Sequence, residues 1–305
     1  MGRNDAIGLR VRSGDAALLD RLREPAGTGS VHSVFTRVVN VLTPHGTLIA
    51  LAARDGADAP RTLIADVADW TGRGLAAGQS VTFTPGSITL GIPSRPLRLT
   101  TTGARAWDPV VPSLAHLAPD DVKTAAVVLD RLNHAYGARG GMLGATPDAG
   151  PMEAAVVRAL HDGRTTLLDA VRAGDRPRIR RGILALLGLG PGLTPAGDDF
   201  LTGFTLLAAL PGSGLAAFVP VLRDVLADHG GRTTDLGLAT VGEAADGRAR
   251  SELLDLLGLL ANGHPPGDLH VPARKVLAIG HTSGSDTLSG LVAGLHLEEE
   301  LRGSL

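Results

Sequence analysis

Ser80-Val-Thr-Phe-Thr-Pro-Gly-Ser-Ile-Thr-Leu90 alternates apolar and polar side chains on either side of a Pro-Gly dipeptide. A two-residue period belongs to a strand with one buried face, and Thr84-Pro85-Gly86-Ser87 has the chemistry of a tight turn. The stretch reads as a β-hairpin. Working outward, residues 31–42, 47–52, 62–67 and 97–101 are short and β-branched, and Pro44-His-Gly46, Asp55-Gly56 and Pro93-Ser94 punctuate them. Such punctuation separates strands. The expectation for residues 1–110 is an antiparallel β domain, either a sheet or a small barrel.

Past about residue 113 the period changes. Pro119-Asp-Asp opens a run with Val122, Ala125, Ala126, Leu129 and Leu132 at helical spacing, ending near Tyr136. Further helices are expected at 151–160, 165–172, 178–189, 198–210, 215–228, 234–245, 251–260, 272–279 and 286–301. Trp107-Asp-Pro and Val111-Pro interrupt regular structure, which puts a boundary within 103–112. The fold class is α+β, with a mainly α-helical domain at 111–305 after the β domain.

Composition excludes several functions. The chain has no cysteine, so disulfide frameworks, thiolate metal sites and cysteine nucleophiles are ruled out. A net charge of −2 recruits neither nucleic acid nor anionic lipid, and eight aromatic residues make no base-stacking platform. Residues 1–20 carry charges throughout with no apolar run, so no signal peptide is expected and the cytoplasm is the expected compartment. The uncharged stretch 200–222 is broken by Pro211-Gly-Ser-Gly214 and Pro220, which reads as two buried helices and a turn rather than a membrane span.

The densest chemical signal is Gly188-Leu-Gly-Pro-Gly-Leu-Thr-Pro-Ala-Gly-Asp-Asp-Phe-Leu-Thr-Gly203. Thr194 suits an N-cap with Pro195 at the first helical position. Asp198 and Asp199 then stand together between two uncharged stretches, and a buried carboxylate requires a cation, N–H donors or a proton. They are candidate catalytic groups and candidate ligands for a divalent cation such as Mg2+. Gly192, Thr194 and Gly197 are candidates for holding an anion at the helix start.

Gly280-His-Thr-Ser-Gly-Ser-Asp-Thr-Leu-Ser-Gly290 echoes this segment after one gap. Thr194 matches Thr282, Asp199 matches Asp286, and Gly203 matches Gly290. Two such starts facing one pocket would bind a small anionic ligand, with Thr282, Ser283, Gly284 and Asp286 contributing and His281 as a proton carrier. Ser283-x-x-Asp286 also fits a plain capping box. Arg232, in a polar turn beside Thr233 and Thr234, is a candidate anion partner. Walker, zinc-protease and nucleophile-elbow patterns are absent.

The segments 192–203 and 280–284, with Val31-His-Ser-Val-Phe-Thr-Arg-Val-Val-Asn40 as a first strand, resemble a bacterial family of AllH-type oxamate carbamoyltransferase subunits. The resemblance runs in order from residue 31 to about 295. It implies carbamoyl transfer between carbamoyl phosphate and oxamate in the purine (allantoin) breakdown route. It also implies work beside an FdrA-like subunit and a companion subunit, as a hetero-complex or homo-oligomer. It assigns no residue roles. Two other readings stay open on the residues alone: a metal-dependent hydrolase of a small phosphorylated or carboxylated metabolite, using Asp198, Asp199 and Asp286, and a non-catalytic assembly subunit whose glycines serve helix packing.

Overall fold

The turn at Thr84–Ser87 closes the expected hairpin, with Gly86 at φ +70° and Thr84 paired to Ser87. Val81 and Phe83 face inward on one arm and Ile88 and Leu90 on the other. The computed structural model of the chain describes residues 6–24, 27–93 and 95–303. Ser94 of the expected Pro93-Ser94 turn and the first five residues of 1–20 lie outside them.

Two compact units divide between Val110 and Val111. In the first the strands are β1 (Ile7–Asp15), β2 (Gly27–Val34), β3 (Val38–Leu42), β4 (Leu48–Ala52), β5 (Thr62–Ala65), β6 (Ser80–Thr84), β7 (Ser87–Leu90), β8 (Leu97–Thr100) and β9 (Arg105–Trp107). The order β5-β4-β3-β2-β6-β7-β8-β1 is closed by pairing of β1 with β5, making an eight-stranded barrel, and β9 extends along β1. Most pairs are antiparallel. The β1–β8, β1–β9 and β4–β5 pairs run parallel. Val39, Val41, Ile49, Leu51, Leu63 and Leu99 fill the interior, as inward positions of a small barrel require.

Residues 31–42 do not form one run. Phe35 N–H donates to the Val38 carbonyl, and the chain reverses there from β2 into β3. Neither β1 nor the six-residue helix α1 (Ala16–Arg21) was anticipated. Arg10 and Arg12 interrupt the apolar signal of β1 from its outer positions, while Asp15 starts α1 by accepting from Ala17 N–H.

The second unit carries α2 (Pro119–Tyr136), α3 (Pro151–Arg172), α4 (Arg176–Leu186), α5 (Ala196–Ala209), α6 (Phe218–His229), α7 (Asp235–Ala245), α8 (Ser251–Ala261), α9 (His270–Leu277) and α10 (Ser283–Gly303). The helices expected at 151–160 and 165–172 are one. Gly163, whose polar neighbours read as a break, lies where α3 meets Leu186 and Ala185 of α4, and a small residue permits that approach. Helix α5 is buried on nearly every side and packs along α10, while α7 covers α5 and α2 covers α10. A helix apolar all round belongs at the centre of a unit.

The far end of α10 is pinned by Glu298, which accepts from Gly214 N–H and pairs with Arg302 at 2.8 Å. Arg302 in turn donates to the carbonyls of Leu114, Leu117 and Gly212. Among the described residues no helix is long and apolar enough to cross a membrane.

Candidate functional site

The connection from α4 to α5 turns through Gly188, Gly190 and Gly192, all at positive φ, where other residues are strained. Asp198 fastens this loop from below: its carboxylate accepts from Gly188 N–H at 2.7 Å and from the Thr233 hydroxyl. Thr234 caps α7 by accepting from Gly237 N–H. Thr194 is not the N-cap of α5. Pro195, with extended ψ, holds that position, and the helix begins one residue later. This frees the Thr194 hydroxyl to reach across to Ser283, 3.1 Å away.

Helix α10 begins in the same manner. Its Asp286 carboxylate accepts from Met142 N–H at 2.7 Å, and Ser285 accepts from Ala138 N–H at 2.8 Å. The expected capping box is therefore replaced, because the Asp286 side chain is turned toward the loop after α2. Asn133 of α2 ties in by donating to the Ser285 carbonyl and the Ser289 hydroxyl.

The two starts are related residue for residue. Gly197 rests on the Leu186 carbonyl at the end of α4, and Gly284 rests on the Val276 carbonyl in α9. Where the helices cross, a Cβ on Gly203 would overlap the Thr287 carbonyl, and one on Gly290 would overlap the Phe200 carbonyl. Asp199 N–H bonds to the Pro195 carbonyl, and Asp286 N–H bonds to that of Thr282. The approaches at the crossing are reciprocal, whereas the two carboxylates differ: Asp286 takes the Met142 amide and Asp199 the Ser283 and Thr194 hydroxyls.

Asp199 sits at the meeting point. It is 5% exposed, and its Oδ2 makes no hydrogen bond; the same is true of Oδ2 of Asp286. Burial pushes Asp199 up to about 8, the nearby Asp286 charge adds to this, and the Ser283 and Thr194 hydroxyls oppose it. Burial raises Asp286 to about 6 against the Met142 amide and the Thr282 hydroxyl. Asp198 is also raised by burial, opposed by Thr233 and Gly188. At neutral pH, Asp199 is a carboxylic acid beside an ionised carboxylate, an arrangement able to hold and pass one proton.

Other expected residues stand elsewhere or are already engaged. Gly197 N–H donates to the Leu189 carbonyl and Gly284 N–H to the Ile279 carbonyl, so neither amide is open to a ligand. Gly192 and His281 are exposed on their loops, and the exposed Arg232 directs its guanidinium to the Leu184 carbonyl at 3.4 Å. Asp198 and Asp199, though adjacent, face different partners. Among the described residues no group of three or more His, Asp or Glu side chains is gathered that could hold a metal ion.

Sequence reasoning missed the loop Gly137-Ala-Arg-Gly-Gly-Met-Leu-Gly144. Gly141 lies so close to Asp286 that any side chain there would strike its carboxylate. Four glycines in eight residues were the available signal. The absence of an acid or histidine among them drew attention away.

Two family models match the chain. One, described as oxamate carbamoyltransferase subunit AllH, covers residues 186–295, and the other, the AllH family N-terminal domain, covers residues 10–106. The chain belongs to the AllH family. Its barrel is the family's N-terminal domain, and the segment matched in the helical unit contains both glycine-rich starts. The loop at 137–144 falls outside both ranges. The family is described by a subunit of a multi-subunit enzyme. No solved structure matches the chain.

Proposed function

We propose that this chain is the AllH-type subunit of a carbamoyltransferase acting on carbamoyl phosphate and oxamate or a related small carboxylate. It would work in the cytoplasm beside an FdrA-like subunit and a companion, within allantoin breakdown. The supporting observation is the meeting of Thr194 and Ser283 over Asp199, between two helix starts of one chain.

In this reading the amide nitrogen of oxamate attacks the carbonyl carbon of carbamoyl phosphate. The new C–N bond forms as the carbon–oxygen bond to phosphate breaks. Asp286, ionised, takes the proton that leaves nitrogen, and Asp199, neutral, donates one to the departing phosphate. Transfer of a proton from Asp286 to Asp199 restores the pair. The Thr194 and Ser283 hydroxyls donate to anionic oxygens. General acid–base catalysis of this kind contributes about 10²–10⁴-fold.

The test is reconstitution with the two partner subunits and assay of carbamoylated oxamate. Asp199→Asn should lower turnover by about 10²-fold or more with the circular dichroism spectrum unchanged. The packing roles of Gly197, Gly203, Gly284 and Gly290 favour a second reading, in which the motif serves assembly alone. Full turnover by Asp199→Asn in the intact complex would establish that reading instead.

A further inference from the structure

Behind the loop at 137–144 lies a separate cavity of about 120 Å3, walled by α2, α3 and α10. Asp130 and His134 line it from one helix and His161 and Arg164 from another, while Leu143 and Val292 make an apolar side. The volume is about four water molecules' share of liquid, enough for an organic ion of a few heavy atoms.

Arg164 is the unusual member. It is only partly exposed, yet its guanidinium makes no hydrogen bond or ion pair among the described residues. Asp130 attracts it through space without closing a salt bridge, and instead lies 3.4 Å from Nδ1 of His134. A partly desolvated guanidinium presenting unused donors to a cavity is poised for a planar two-oxygen anion. Asp130, on the facing helix α2, would repel a dianion such as phosphate but would accept from N–H groups.

We propose that this cavity binds a small carboxylate carrying an amide or ureido group, its carboxylate on Arg164 and its N–H donors toward Asp130. The site is distinct from the Asp199 cluster and goes beyond the functional reading above. Met142 and Leu143 touch the cavity on one side while Met142 N–H holds Asp286 on the other. A bound ligand therefore bears on the loop that holds the Asp286 carboxylate.

The probe is oxamate, titrated calorimetrically into the full chain without partner subunits, with inorganic phosphate and oxalate as comparators. Oxamate should bind saturably and more tightly than either comparator. Arg164→Gln should weaken it at least about tenfold, the loss of a charged bidentate contact, and Asp130→Asn should narrow its advantage over oxalate. Arg98→Gln, at an exposed position of the barrel, should leave binding unchanged. Absence of saturable oxamate binding, equal affinity in Arg164→Gln, or tighter binding of phosphate overturns the proposal. Binding that depends on Arg164 in a chain whose reconstituted complex never transfers a carbamoyl group would sustain the cavity and refute the carbamoyltransferase reading.

Discussion

Asp199 carries more consequence than any other side chain of the helical unit, because its proton is held by the fold itself. Its folded-state value of about 8 lies above the roughly 3.9 of an unfolded chain, so the folded state binds the extra proton between about pH 4 and pH 8. Stability therefore falls as pH rises across that window, and Asp286 adds the same slope between about pH 4 and pH 6. Asn at position 199 keeps the shape and removes the titration. Asp199→Asn should match the parent's thermal midpoint near pH 4 and exceed it near pH 8, by about 2–4 °C for each kcal/mol recovered. A midpoint difference independent of pH would contradict the buried-acid assignment. Asp198 should behave oppositely: Asp198→Ala leaves the Gly188 amide and Thr233 hydroxyl unpaired, at about 1–3 kcal/mol by denaturant unfolding. At this scale the acids were legible because carboxylates were stranded in apolar sequence. Their division of labour was not, since adjacency in sequence says nothing of which helix each side chain faces.

Helix α5 meets α10 backbone to backbone, and glycine is the only residue that fits at the crossing. Gly203→Ala or Gly290→Ala forces a methyl onto a main-chain carbonyl that cannot swing aside, and each should destabilise the chain by about 1–3 kcal/mol or more. Gly258→Ala in α8, where nothing lies within 4 Å of the added carbon, should instead stabilise by about 0.5–1 kcal/mol. Urea unfolding of the three variants separates close packing from simple helix propensity. The glycine echo between 192–203 and 280–290 was readable because the spacing from acid to glycine repeats. What a single sequence withheld was tertiary override: Gly163 sits inside a continuous α3, and β1 hides its buried Val11 between two arginines.

Over the whole molecule, the change from two-residue to helical periodicity falls near the place where the chain divides. Each unit encloses its own core, from Val39 and Leu63 in the barrel to Phe200 and Leu288 in the helical unit. A fragment spanning 111–305 should fold when expressed alone, unfolding cooperatively with the pH slope described for Asp199. A non-cooperative melt would show that the helical unit needs the barrel. Barrel closure was the less legible part, because pairing of β1 with β5 joins segments some fifty residues apart and no local pattern announces it.

Helix α10 is held at both ends, by Ser283 and Asp286 at its start and by Arg302 near its end. Ribosomes deliver the chain from its N-terminus, so α2, α5 and their loops emerge before the helix that covers them. Until α10 follows, the side of α5 that meets it is uncovered and Asp199 lacks the packing that raises its pKa. The buried proton is acquired only once α10 has followed, and a nascent chain paused before residue 283 would offer chaperones the helix surface that the folded chain conceals.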